Sequence, residues 1–226
     1  MRILIGIPAY NESKMIGQVI SRLPKNITGF GKADILVVDD GSSDNTGEIA
    51  REKGATVLTH LINRGLGGAL KTIFQYARTN GYDVLVTFDA DGQHDAKDIG
   101  KLVKLLTDKS CDFIVGTRWS KGLTKPYTRY YINMLANIFT YVFFNIKTTD
   151  SQSGFRAFGK KAIQSVSIST DGMEVSSEFF REAKRCRFKF AEVPIKAVYS
   201  VYSKGKGQSL SDAPEVFMQL LLRLLK

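Results

Sequence analysis

Short apolar runs, each closed by polar residues, alternate with amphipathic stretches through the first half of the chain. Arg2 to Ile7, closed by Pro8, predicts a buried strand. Ile16, Val19, Ile20 and Leu23 then recur at helical spacing after Asn11-Glu12-Ser13. Asp34 to Val38 reads as a second strand, ending in Asp39-Asp40-Gly41-Ser42-Ser43-Asp44, with a short helix behind it capped by Ser43 or Asp44. Thr56 to Leu58 reads as a third strand and Asn63 to Gly68 as a glycine-rich loop. A helix to about Arg78, a strand from Val84, a helix near Lys97 to Leu106 and a strand at Phe113 to Val115 follow. This alternation predicts an α/β fold with a mostly parallel, doubly wound sheet flanked by helices. Beyond Gly116 the pattern becomes irregular, as expected of an elaboration on the same domain.

Composition narrows the class. The 226 residues suit one α/β domain, and 43% hydrophobic with 24% charged residues is a globular balance. Lys+Arg of 32 against Asp+Glu of 22 leaves +10, which favours anionic partners such as nucleotide phosphates, anionic lipid or nucleic acid. A nucleic-acid-binding module has only that charge in its favour, without a recognition helix or an aromatic ribonucleoprotein motif. Cys111 and Cys186 lie far apart in no metal-like spacing, so a reducing compartment is expected. Polar residues arrive by Asn11, against a signal peptide, and no stretch offers the roughly 20 apolar residues of a spanning helix.

Chemistry concentrates where strands end. Val84-Leu85-Val86-Thr87-Phe88 runs into Asp89-Ala90-Asp91-Gly92-Gln93-His94, and ligands of open α/β sheets sit beyond the carboxyl ends of strands. Alternate residues of an extended chain point the same way, so Asp89 and Asp91 can grip one hard cation, Mg²⁺ or Mn²⁺. The same residues also suit a merely acidic turn. Pro8-Ala9-Tyr10-Asn11-Glu12 and Asp39-Asp40-Gly41-Ser42 end two further strands on the same expected edge. Asp39 and Glu12 suit ribose hydroxyls or a base edge, and Tyr10 offers a ring face.

These motifs, with Asn63-Arg64-Gly65-Leu66-Gly67-Gly68-Ala69, Gly116-Thr117-Arg118 and Ser153-Gly154-Phe155-Arg156, resemble the inverting GT-A glycosyltransferases of the dolichyl-phosphate mannose synthase type. The resemblance implies a single GT-A domain over 1–226, with 1–116 on the nucleotide-sugar side and 117–226 on the acceptor side. It implies that Pro8, Tyr10, Glu12 and Asp39, with Asp89, hold the donor nucleotide, of GDP-mannose or UDP-glucose type. Asp89, Asp91 and Gln93 would surround the metal, and His94 reads as a strand-exit polar residue. A hexose would pass, with inversion, to a polyprenyl or dolichyl phosphate. Gln152 stands where the family often has threonine, which bears on the local acceptor contacts.

A phosphate acceptor is already an anionic nucleophile and needs cations rather than a base; Arg118, Arg129 and Arg156 are the candidates. A saccharide hydroxyl acceptor would need a base, for which Asp171 or Glu178 stand near Gly172-Met173-Glu174. Tyr131 to Ile146 is uncharged and apolar, with Lys121, Lys125 and Arg129 before it and Lys147 after. It suits a helix at a bilayer surface, a core helix or a dimer face, and the tail from Pro214 has the same character. The expectation is a peripheral enzyme on the cytoplasmic face of the membrane, alone or with a membrane-protein partner or as a homodimer. Tyr199 to Gln208 reads as a basic, aromatic lid that brings Lys204 and Lys206 to a phosphate.

Overall fold

The computed structural model describes residues 1–108, 110–118 and 127–198, with the side chains of 127–129 excepted. Lys204, Lys206, the expected lid and the apolar tail lie outside the described residues, as do Lys121, Lys125 and the Arg129 side chain.

The strands are β1 (Ile3–Ala9), β2 (Asn26–Ile27), β3 (Gly31–Asp39), β4 (Thr56–Thr59), β5 (Val84–Thr87), β6 (Phe113–Thr117), β7 (Arg156–Gly159) and β8 (Phe190–Pro194). The helices are α1 (Ile16–Arg22), α2 (Thr46–Glu52), α3 (Gly65–Thr79), α4 (Ile99–Asp108), α5 (Tyr127–Phe144), α6 (Lys160–Ser165) and α7 (Val175–Arg185). One sheet runs β2-β3-β1-β5-β7-β6-β8, with β4 also paired to β3. β1, β3, β4, β5, β6 and β8 are mutually parallel, so their carboxyl ends share one edge. β2 and β7 are antiparallel, which makes the sheet mixed.

Alternation along β1 shows how the sequence builds this sandwich. Ile3, Ile5 and Ile7 enter the core cluster shared with α1 and α4, while Leu4 enters the cluster with α3, α6 and α7. Each such buried side chain contributes about 1.5–3 kcal/mol relative to exposure. Gly6 faces α3, where an added Cβ would lie 2.4 Å from Ile73 Cγ2, so only glycine allows the helix this close. The second core is aromatic: Phe158 stacks on Phe113 at 4.9 Å and meets Phe74 edge-on at 4.9 Å.

β7, α6, α7 and β8 occupy the stretch whose pattern is irregular in sequence. Its short antiparallel strand offers too few alternating positions for periodicity to register. Helix α1 starts at Ile16 rather than at Asn11, because Asn11 sits at φ 52° and Glu12 to Met15 form a turn. Among the described residues no helix is long and apolar enough to cross a membrane.

Candidate active site

Loops after β1 and β3 are stitched together across the crevice. Ser43 N–H donates to Asn11 Oδ1 at 2.9 Å, Asn11 N–H to Ser42 Oγ at 2.9 Å, and Glu12 N–H to Thr46 Oγ1 at 2.8 Å. Asp44 accepts from Ser13 N–H at 3.1 Å and from Thr46 N–H, the first of α2, at 3.1 Å, so it ties the β1 loop to the start of α2, whose N-cap is Asn45. Glu12 and Asp39 are thereby buried in one crevice with Tyr10 exposed at its rim. Asp39 Oδ1 accepts from Ser42 N–H at 3.2 Å; a Cβ on Gly47 would fall 2.6 Å from Asp39 Oδ2, so α2 begins hard against this carboxylate.

Beside it, Asp89 and Asp91 follow β5. Asp89 packs on Gly154, where a Cβ would come within 2.2 Å of its Oδ1, and accepts from His94 Nε2 at 2.8 Å. Burial opposes ionisation of Asp89, but the His94 bond, His94 itself, Arg118 and Arg156 outweigh it and hold its pKa below the usual value. Asp91 is shifted the other way: burial first, then the Asp89 charge, push it up to about 6, with Glu12 adding to the repulsion. Two neighbouring carboxylates are thereby driven apart in their titration, a pattern common at functional sites.

His94 is more than a polar exit residue. Its side chain is fully buried, with Phe88 and Phe155 rings at 5.7 and 5.1 Å, and it fixes the rotamer of Asp89. Where a carboxylate so oriented holds a metal, the partner that orients it typically weighs about 10–100-fold on affinity. His94→Leu is therefore expected to weaken Mn²⁺ binding by about tenfold or more, and His94→Gln by less, in titration calorimetry. Wild-type affinity in His94→Leu would remove this role.

The arginines are held from behind. Arg118, just past β6, donates to Asp150 from its backbone N at 2.9 Å, Nε at 2.8 Å and Nη2 at 2.7 Å. Arg156 pairs in register with Thr87 and Val115, which brings it between the Asp89 and Arg118 strand ends. Its guanidinium is fully enclosed, donating to the Ser151 and Ser153 carbonyls at 2.8 and 2.7 Å and lying 4.9 Å over Phe179. Burial lowers its pKa to about 10, with Asp89 and Asp150 opposing that shift. Arg156 is thus a buried charge that lines one small cavity with Asp89. Arg129 lies in the first turn of α5.

Gly65 and Gly67 admit the chain's own backbone: Gly67 N–H donates to Asp171 O at 2.8 Å, and a Cβ there would sit 2.0 Å from Thr170 O. Glu178, the other candidate base, is tied into the fold. It is buried and accepts from Ser169 N–H and Oγ, Thr170 N–H and Oγ1, and Arg181. Burial raises its pKa, but those bonds win and hold it below the usual value. Sequence reading missed Asp150, Asn133, Asn137 and Glu192, whose only sequence signal is polar residues set beside or within apolar segments.

A mixed α/β sheet with carboxylates gathered at the carboxyl ends of its parallel strands is the arrangement of the GT-A fold. The solved glucosyl-3-phosphoglycerate synthase from Mycobacterium tuberculosis shares this fold, with a TM-score of 0.76 over 99% of this chain and 78% of that one, at 20% identity. Residues 4–167 match the family model described as glycosyl transferase family 2, and the chain belongs to that family. It is 34% identical over 96% of its length to a UDP-N-acetylglucosamine–dolichyl-phosphate N-acetylglucosaminyltransferase from Methanococcus voltae, covering 93% of that protein. It is 30% identical over 91% of its length to an undecaprenyl-phosphate mannosyltransferase from Micrococcus luteus, covering 87% of that protein.

Proposed function

We propose that this glycosyltransferase moves a hexosyl unit from a nucleotide sugar to the phosphate of a polyprenyl or dolichyl lipid, with inversion. One observation carries the reading. A pinned arginine, Arg118, and the polar inner face of α5, whose outer face is apolar and exposed, converge on one short segment, residues 149–151. An anionic head and an apolar tail are the two parts of a lipid phosphate. The relatives named above act, by their names, on such lipids. The first of them suggests a UDP sugar as donor, and the mannosyltransferase makes GDP-mannose the second candidate.

Pro8, Tyr10, Glu12 and Asp39 hold the nucleoside in this reading, and Arg118 and Arg129 meet the acceptor phosphate. Mg²⁺ or Mn²⁺ suits Asp89, Asp91 and the Gln93 amide, because two carboxylates and an amide oxygen are hard donors and a cation relieves the repulsion that raises Asp91. Among the described residues no group of three or more His, Cys, Asp or Glu side chains is set to hold a metal ion. When bound, the ion neutralises charge on the departing nucleoside diphosphate. The acceptor oxygen is already anionic, so no protein base is required.

Tyr131, Leu135, Ile138 and Val142 of α5 are exposed, and Lys147 and Lys184 stand exposed at the helix end. Apolar side chains rimmed by lysines suit the surface of an anionic bilayer. Nucleoside diphosphate release is expected with a short-chain polyprenyl phosphate and one class of nucleotide sugar, and binding to anionic vesicles should weaken with salt. Transfer to a saccharide hydroxyl and none to the lipid phosphate would overturn the proposal.

A further inference from the structure

Helix α5 has two faces with opposite chemistry. Its outer face is the exposed apolar stripe. Its inner face carries Asn133 and Asn137, one helical turn apart. Both Nδ2 groups donate to the Thr149 carbonyl at 2.9 Å, and Asn137 Oδ1 accepts from Ser151 N–H at 2.9 Å. From the opposite side, Glu192 of β8 accepts from Thr148 Oγ1 at 2.6 Å, Thr149 N–H at 2.7 Å and Thr149 Oγ1 at 3.0 Å. The segment is clamped from both flanks. Between the clamps, the fully buried Asp150 carboxylate takes the Nε–Nη2 edge of Arg118.

A long arginine at a strand end would ordinarily sample many rotamers. Here its direction is set by Asp150, and the place of Asp150 is set by α5 and β8. A buried ion pair contributes little net stability compared with well-packed apolar residues, so holding a loop does not by itself call for one. What the pair adds is a cation of fixed direction just past the end of β6.

We propose that Asn137 and Asn133 are positioning residues for the lipid phosphate. Through residues 149–151 and Asp150 they fix Arg118, so the helix that meets the lipid also sets the charge that receives its headgroup. The inference rests on the reading of Arg118 as an acceptor-phosphate group.

The experiment uses the full chain and farnesyl phosphate as a water-soluble acceptor, which removes the membrane from the readout. Asn137→Ala and the isosteric Asp150→Asn are expected to raise KM for farnesyl phosphate about tenfold, as loss of a charge-linked hydrogen-bond relay would. UDP or GDP affinity by calorimetry should stay unchanged. In the double variant with Arg118→Ala, Asn137→Ala should add nothing further, because both act through one guanidinium. A purely structural role predicts additive losses and a parallel fall in nucleotide affinity. Wild-type KM in Asn137→Ala and Asp150→Asn, or full additivity, overturns the proposal while leaving Arg118 in place. Wild-type KM in Arg118→Ala removes the underlying reading and this inference with it. Should Asn137→Ala fail to fold, Asp150→Asn decides.

Discussion

Asp91→Ala is expected to lower sugar transfer by about a thousandfold, the scale lost when transition-state charge goes uncompensated, without harming the sheet. The residue follows β5 at the open edge and contributes no core packing. In the absence of metal its removal should even stabilise the fold, because Asp91 is held against Asp89. The folded pKa of about 6 stands above the 3.8 of the unfolded chain, so between those values the folded form binds the extra proton. Metal-free protein therefore loses stability as pH rises through that window, and Asp91→Asn should flatten this part of the profile. Mn²⁺ binding should weaken as pH falls below about 6, since a proton competes for the same oxygen. Thermal melting in EDTA and calorimetry with Mn²⁺ measure both. Full transfer activity of Asp91→Ala in EDTA would refute the metal role.

The parts of this site that were legible in sequence share one property: they end apolar runs. Asp39, Asp89 and Asp91 each break a strand pattern, and the parallel sheet then carries them to one edge without further information. Glu12 is similar, although its burial depends on the Asn11–Ser43 and Glu12–Thr46 links, which join residues far apart in the chain. Asp150 and Glu192 were not legible, because their meaning lies in partners that only the folded chain brings near. Arg118 illustrates the difference: its position after β6 follows from the pattern, whereas its engagement by Asp150 depends on a loop placed by α5 and β8. The glycines of 63–68 are legible only in part. Glycine signals close approach of backbone, but the sequence does not say to what, and the neighbour is residues 170–171.

The second large effect separates structure from chemistry on the acceptor side. Glu178→Ala should destabilise the protein by about 3 kcal/mol or more, the usual scale when a buried, fully engaged carboxylate is removed. Its loss strands the Ser169 and Thr170 amides and hydroxyls and takes from Arg181 its nearest carboxylate, leaving it Glu182. The same segment continues into Thr170 and Asp171, on which Gly65 and Gly67 rest, so the glycine loop should loosen with it. Because the folded pKa of Glu178 lies below its ordinary 4.5, its contribution is present above that value and is lost as pH falls through the folded pKa. The destabilisation should thus be full at neutral pH and shrink in strong acid. Asp171→Ala, at an exposed position, should leave both melting temperature and lipid-phosphate transfer near wild type. A hydroxyl acceptor predicts the opposite signature: one of these carboxylates would lose turnover selectively, with no change in stability. Denaturant melts beside farnesyl phosphate kinetics, on the two variants, distinguish these outcomes. A stable Glu178→Ala or Asp171→Ala protein that has lost only its turnover would identify a base and overturn the anionic-acceptor reading.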